Sequence, residues 1–271
     1  MKPIVQIASA KTPEGRELVL SRHDRDFFIM LERRQLMSSR EHESELALAR
    51  LGCERIRDRR APTVLIGGLG LGYTLRQALD MLQPQATVVV AELVPEVVRW
   101  NREHVGELTG HPLRDKRVIV KTEDVGKILR ASHAAFDAIL LDVDNGPFVT
   151  TSYSRTGRLY SREGIRATMR ALHRRGCLAV WAANLDPAFG KFIERQRLHV
   201  RRFRAAAYKG AKRRTRCIWM VAQDPRSLPA RADSNDVPPA EPAAGMPVRP
   251  GVAAGGSAGP PPKSEPLALG G

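Results

Sequence analysis

Cysteine, aromatic side chains and long apolar runs are all scarce in this chain. Only three of its 271 residues are cysteines, Cys53, Cys177 and Cys217, and they lie far apart. An odd number without CxxC spacing excludes a disulfide scaffold and a cysteine-rich metal site, and it fits a reducing cytoplasm. The seven histidines, His23, His42, His104, His111, His133, His173 and His199, show no HExxH or other paired spacing, so no metal is expected. No apolar run approaches the roughly 18 residues that a membrane span needs. The first residues, MKPIVQIASAKTPEGRE, are too polar for a secretory signal. Aromatics make up 5% of the chain, and no stacking motif for single-stranded nucleic acid is present.

What is there is an ordinary globular mixture, 42% hydrophobic and 27% charged, long enough for one medium α/β domain with a small appendage. Lys and Arg number 44 against 29 Asp and Glu, a net +15. Residues 224–271 hold 11 of the 19 prolines, seven of the 22 glycines and no Phe, Trp or Tyr. Such a segment buries too little apolar area to offset chain entropy, and it is expected to be a disordered tail. It carries four basic and five acidic residues, so residues 1–223 carry +16. Arginines cluster at Arg55, Arg57, Arg59 and Arg60, and again at Arg195, Arg197, Arg201, Arg202 and Arg204. That much positive charge attracts phosphates, which makes nucleic acid a candidate partner. The few aromatics and the interleaved acids favour a solvated basic surface instead.

Residues 1–36 read as a short β-rich segment, with apolar runs Ile4–Ile7, Glu17–Ser21 and Phe27–Leu31 separated by turn sequences. Ser38 and Glu41 have capping-box spacing and predict a helix opening there. A second domain is expected over 37–223, and from Pro62 to Gln223 its pattern alternates strand and helix. Buried-type strands are expected at Thr63–Ile66, Thr87–Ala91, Arg117–Lys121, Asp137–Leu141 and Leu178–Ala182, and helices near 73–82, 95–105, 124–131 and 161–174. Repeated β-α units predict a mostly parallel sheet covered on both faces. Val200–Ala207 and Thr215–Ala222 are too closely joined to be anything but an antiparallel hairpin. The fold class is α/β: a Rossmann-like, methyltransferase-type sheet ending in an antiparallel hairpin.

Between the first such strand and its helix runs Gly67-Gly68-Leu69-Gly70-Leu71-Gly72. Glycines there permit a tight turn and a close ligand, and the helix N-terminus offers free N–H groups. The third glycine of a GxGxxG dinucleotide fingerprint would fall on Tyr73 or Leu75, so that fingerprint fails. Glu92 ends the second strand, where an acid can accept both ribose hydroxyls. Glu123 and Asp124 follow the third, where a side chain can meet an adenine amino group. Loop and acids in this order indicate a nucleoside site. Asp142 ends the fourth strand, in FDAILLDVDNGP, at the sheet edge where ligands gather, and it can accept a proton from an amine or hold a cation. Asp144, in good turn chemistry, is as readily a loop cap. Trp100, Trp181 and Trp219 read as core residues.

Residues 63–183 resemble the polyamine aminopropyltransferase (spermidine synthase) family, on VLIGGLGLG, Glu92, Glu123-Asp124, FDAILLDVDNGP and Leu159-Tyr160-Ser161 leading into a helix. The β-rich N-terminus followed by a helix carrying Glu45 is similar in layout. The resemblance implies a transferase that takes decarboxylated S-adenosylmethionine and passes its aminopropyl group to a small amine. Glu92 would then bind ribose, Asp124 adenine, and Asp142 would be the base or amine-binding acid, while Gln35 matches a family glutamine before the helix. A cytoplasmic enzyme is implied, and a homodimer is compatible with it. There are departures. The family loop reads GGGDGG, its aspartate gripping the cofactor amine, where this chain has Gly70. The family's second aspartate lies three residues after the first, where this chain has Asn145, with Asp144 at two. A family tyrosine falls near Ser44. The basic run Lys209, Lys212, Arg213, Arg214 and Arg216 would repel a diamine by about 1 kcal/mol per charge pair at 4 Å in water if it faced the groove. Losing the loop acid favours, as an alternative, a methyltransferase using intact S-adenosylmethionine. A non-catalytic nucleoside- or nucleic-acid-binding module is the third reading.

Overall fold

The computed structural model describes residues 3–143 and 155–230. Asp144, Asn145 and most of the Pro/Gly-rich tail lie outside the described residues.

The chain opens with an antiparallel meander of four strands, β1 (Val5–Lys11), β2 (Glu17–His23), β3 (Asp26–Leu31) and β4 (Arg34–Ser38), hydrogen-bonded in that order. The β1–β2 turn closes through Gly15 N–H to the Thr12 carbonyl at 2.8 Å, with Gly15 left-handed at φ 82°. The sequence pattern misses β4 and places a helix start at Ser38. In the structure Ser38 pairs with Phe28 at the end of β4, and helix α1 (Glu43–Cys53) begins five residues later behind His42, whose side chain makes no capping bond. Strand pairing has claimed the residues that would have formed the capping box. Glu41 bonds the Arg216 guanidinium at 3.1 Å instead.

The second sheet has seven strands: β5 (Thr63–Gly67), β6 (Thr87–Ala91), β7 (Val118–Lys121), β8 (Phe136–Leu141), β9 (Leu172–Ala182), β10 (His199–Ala205) and β11 (Arg216–Ala222). Their order is β10-β11-β9-β8-β5-β6-β7, parallel from β9 to β7, with β10 and β11 forming the expected antiparallel hairpin. Helices α2 (Tyr73–Met81), α3 (Pro95–Glu103), α4 (Val125–Ala131), α5 (Arg155–Leu159), α6 (Arg162–Ala171) and α7 (Pro187–Glu194) connect them. α6 stops at Ala171, short of the predicted 174, because Leu172 already pairs with Phe136 at the start of a strand six residues longer than its apolar run suggests.

Val64, Ile66, Val88, Val90 and Leu140 pack on one face of this sheet against α1, α2 and α3, and that core continues into Leu18, Leu20, Ile29 and Leu31 of the N-terminal sheet. Leu65, Ile139, Leu141 and Val180 pack on the other face against α4, α6 and α7. β5 begins the run outward in both directions, to β6 on one side and β8 on the other. That reversal opens a crevice at the carboxyl ends of the central strands, where open α/β sheets bind ligands.

Candidate active site

The crevice is a cavity of about 530 Å³. Gly68 and Gly70 line it from the loop after β5, Glu92 from the end of β6, Glu123 and Asp124 from the end of β7, and Asp142 from the end of β8. α1 adds Glu45, and the N-terminal meander adds Leu36 and Met37. Six of the residues singled out in the sequence are thus brought together. Gly67 and Gly72 shape the turn without lining the cavity, and Gln35 is exposed on β4, facing away from it. The pairing of β4 with β3 is irregular here, Met37 standing opposite Ile29 and Gln35 opposite Met30 with Leu36 between them, so simple alternation does not hold and both Leu36 and Met37 reach the cavity while Gln35 stays in solvent.

Two of the glycines are required by close packing. A Cβ on Gly68, at φ 89°, would come within 2.4 Å of the Asp142 carbonyl oxygen. One on Gly70, at φ 52°, would press within 2.3 Å of the Met37 sulfur. That sulfur also accepts the Leu71 N–H at 3.3 Å, so β4 covers the loop directly. Asn101 of α3 holds the other side of the turn by donating to the Gly70 carbonyl at 2.7 Å.

Glu92 is buried and fully anchored. One carboxylate oxygen accepts the Leu69 N–H at 2.9 Å and the other the Val94 N–H at 2.9 Å, which ties the glycine loop to the end of β6. Burial raises its pKa, and these backbone donors oppose the rise. The Leu93 and Gly70 backbone also reaches this carboxylate, which nonetheless lines the cavity. Asp124 caps α4, accepting the Lys127 N–H at 3.2 Å, so its cavity position coincides with a structural duty.

The opposite wall is acidic and poorly compensated. Glu45 is buried in α1, where Arg50 alone among the helix residues escapes burial. Ser44 donates to Glu45 at 2.6 Å, and Thr74, near the start of α2, donates to Asp142 at 2.8 Å. Desolvation, and then the charge of Asp142, raise the Glu45 pKa to about 8. Desolvation raises Asp142 to about 6 against the pull of the Thr74 bond. Arg216 lowers Glu45 only weakly, its guanidinium being engaged by Glu41. Two acids that resist ionisation beside each other form a site for a cation or for a proton.

None of residues 209–216 lines the cavity; Lys209, Lys212 and Arg213 are exposed to solvent. Trp181, expected in the core, lies at the cavity wall while packing against the core from there. Glu45, Thr74 and Met37 carry no motif. Of the three, only Glu45 was named from the sequence, for its place on the helix after the β-rich N-terminus and without a role in the site. Among the described residues no cluster of ligating side chains suited to a metal occurs, and no helix is long and apolar enough to cross a membrane.

The chain resembles known proteins both in sequence and in structure. Over 117 residues the chain is 32% identical to a polyamine aminopropyltransferase of Korarchaeum cryptofilum, covering 43% of this chain and 34% of that protein. Over 127 residues it is 28% identical to one of Saccharolobus solfataricus, covering 47% and 40%. The matching stretch thus spans about a third of the length of the first of these relatives. Spermidine synthase from Thermotoga maritima superposes with a TM-score of 0.62 at 18% identity, over 83% of this chain and 76% of that one. The chain has the spermidine synthase fold. A spermidine synthase solved in complex with the transition-state analogue AdoDATO superposes with a TM-score of 0.61 at 17% identity, over 83% and 75%. A probable spermidine synthase from Corynebacterium glutamicum gives 0.58 at 17%, over 83% and 81%. No family model matches the chain.

Proposed function

We propose that the chain is an aminopropyltransferase, taking decarboxylated S-adenosylmethionine as donor and a small amine as acceptor. The observation that carries this reading is the buried pair Glu45 and Asp142, held together at the cavity wall, where among the described residues Arg216 offsets the Glu45 shift only slightly. A protonated amine is the ligand that would relieve both acids at once.

The nucleoside half fits an adenosyl group. Gly68 and Gly70 keep the loop low, and Glu92 presents a carboxylate at the cavity wall that can accept from ribose hydroxyls. Asp124 and Glu123 line the same cavity, which supports them as partners for an adenine amino group. A bound sulfonium donor supplies an electrophilic carbon next to sulfur. The new nitrogen–carbon bond forms as the carbon–sulfur bond breaks, the electron pair staying on sulfur and the nitrogen shedding one proton. Asp142 is the acceptor for that proton, and its raised pKa suits the role near neutral pH. Thr74 orients the carboxylate, Glu45 holds the amine's positive charge, and proximity supplies much of the acceleration.

Gly70 favours a second reading. A thioether, Met37, sits against the position where an amine-gripping acid would stand, which leaves room in charge for the carboxylate of intact S-adenosylmethionine and for methyl transfer. Calorimetry with both cofactor forms separates the two. Tighter binding of the decarboxylated form, with aminopropylated product from a diamine, supports the first reading. Tighter binding of the intact form supports the second, and binding of neither removes both.

A further inference from the structure

The molecule has a second concavity, chemically the opposite of the first. It is a cleft of about 340 Å³ between α6 and the turn that leads from α7 into β10. Four arginines line it: Arg162 and Arg166, one helical turn apart on α6, and Arg195 and Arg197 just beyond α7. Its floor is apolar, formed by Ile165, Met169 and Leu198. No carboxylate lines it, and among the described residues none of the four arginines is within ion-pair distance of an acid. Glu163, on the same helix and fully solvent-exposed, feels Arg166 and Arg162 at longer range.

Four guanidiniums gathered into one hollow repel each other, and an exposed basic surface alone gives no reason to gather them. Arg197 does so from a left-handed backbone at φ 60°, a conformation that costs energy for a residue bearing Cβ. Guanidinium forks match phosphate oxygens two at a time, and a hollow of this size accommodates a group no larger than a nucleotide. We infer that this cleft binds the phosphate groups of a polyanionic ligand, at a site separate from the cavity at the sheet's carboxyl edge. The arrangement suits two or more phosphates together, one fork pair from α6 and one from the far side. With no aromatic ring in the lining, recognition rests on phosphate rather than on stacked bases.

The test uses the full chain and two probes, inorganic tripolyphosphate by calorimetry and a labelled single-stranded oligonucleotide by fluorescence anisotropy. The paired variant Arg162→Ala/Arg166→Ala is compared with Arg99→Ala/Arg102→Ala, which removes the same charge from exposed positions on α3. The expected result is binding of at least one probe, weakened tenfold or more by the α6 pair and less than twofold by the α3 pair. For a strand held by all four arginines, log Kd should rise with log salt with a slope of about 3. Tripolyphosphate binding as tightly as the oligonucleotide points to a free phosphorylated metabolite, and an oligonucleotide at least tenfold tighter points to a nucleic-acid strand. Equal losses in both variants, or no binding of either probe at low salt, overturn the site. The outcome is independent of whether the larger cavity transfers an aminopropyl group.

Discussion

Glu92 and Asp142 end β6 and β8, the two strands that flank β5, and both line one cavity, yet they are held in opposite ways. Glu92 receives two backbone N–H groups from the very loops it joins, so its charge belongs to the folded chain. Asp142 has one hydroxyl, from Thr74, and a second acid for company. The first arrangement fixes its loop before any ligand arrives and leaves the carboxylate at the cavity wall. The second is complete only once a cation or a proton is added, which is what sets a binding wall apart from a scaffold.

The sharpest way to break the comparison is Asp142→Asn. Turnover should fall by about 10²–10⁴-fold, the range for losing a general base, while cofactor affinity measured by calorimetry stays within a few-fold. Normal turnover would take Asp142 out of the mechanism. Glu92→Gln should do the reverse. Its amide leaves a backbone N–H without an acceptor, so stability should fall by about 1–3 kcal/mol in denaturant melts and cofactor binding should weaken about tenfold or more. A variant as stable as the parent would mean that the loop does not depend on this acid.

Glu45→Gln is expected to raise KM for the amine about tenfold with a smaller change in kcat, read from initial rates. It also carries a pH test. Glu45 and Asp142 have raised pKa values in the fold, so the folded chain keeps their protons after the unfolded chain has released them. The native state then binds more protons than the unfolded state, and stability falls as pH climbs from the ordinary carboxylate range to about 8. Thermal melts of the ligand-free chain should show that fall, and Glu45→Gln should flatten it. An unchanged slope would mean that the pair is not the source. The smallest effect belongs to Thr74→Val. Losing the hydroxyl removes the one contact that lowers Asp142, so the acidic limb of the rate profile should move up by about one pH unit.

The parallel sheet, its terminal hairpin and the Gly67–Gly72 turn were legible because each rests on local pattern: buried strands of four to six apolar residues, and glycines at a strand-to-helix turn. Glu92, Asp124 and Asp142 were legible for a related reason, since each ends a recognisable strand and strand ends in this topology converge. β4 was not legible. RQLMS has little strand character of its own, and it becomes a strand only by pairing with β3. Glu45 was visible only as a point of layout, an acid on the helix after the β-rich N-terminus, with no role attached, and Thr74 stayed hidden. They meet Asp142 through the docking of α1 on α2, and no short-range pattern encodes that contact.

Periodicity and turn chemistry, which act between residues near in sequence, thus determined the sheet and the order of the acids along its edge. Only the packed structure decided that Met37 would cover Gly70, that Gln35 would face away, and that an acid on α1 would share the cavity with Asp142. Those outcomes depend on side chains distant in sequence excluding water together. Desolvation of that kind exists only once the elements have closed on one another.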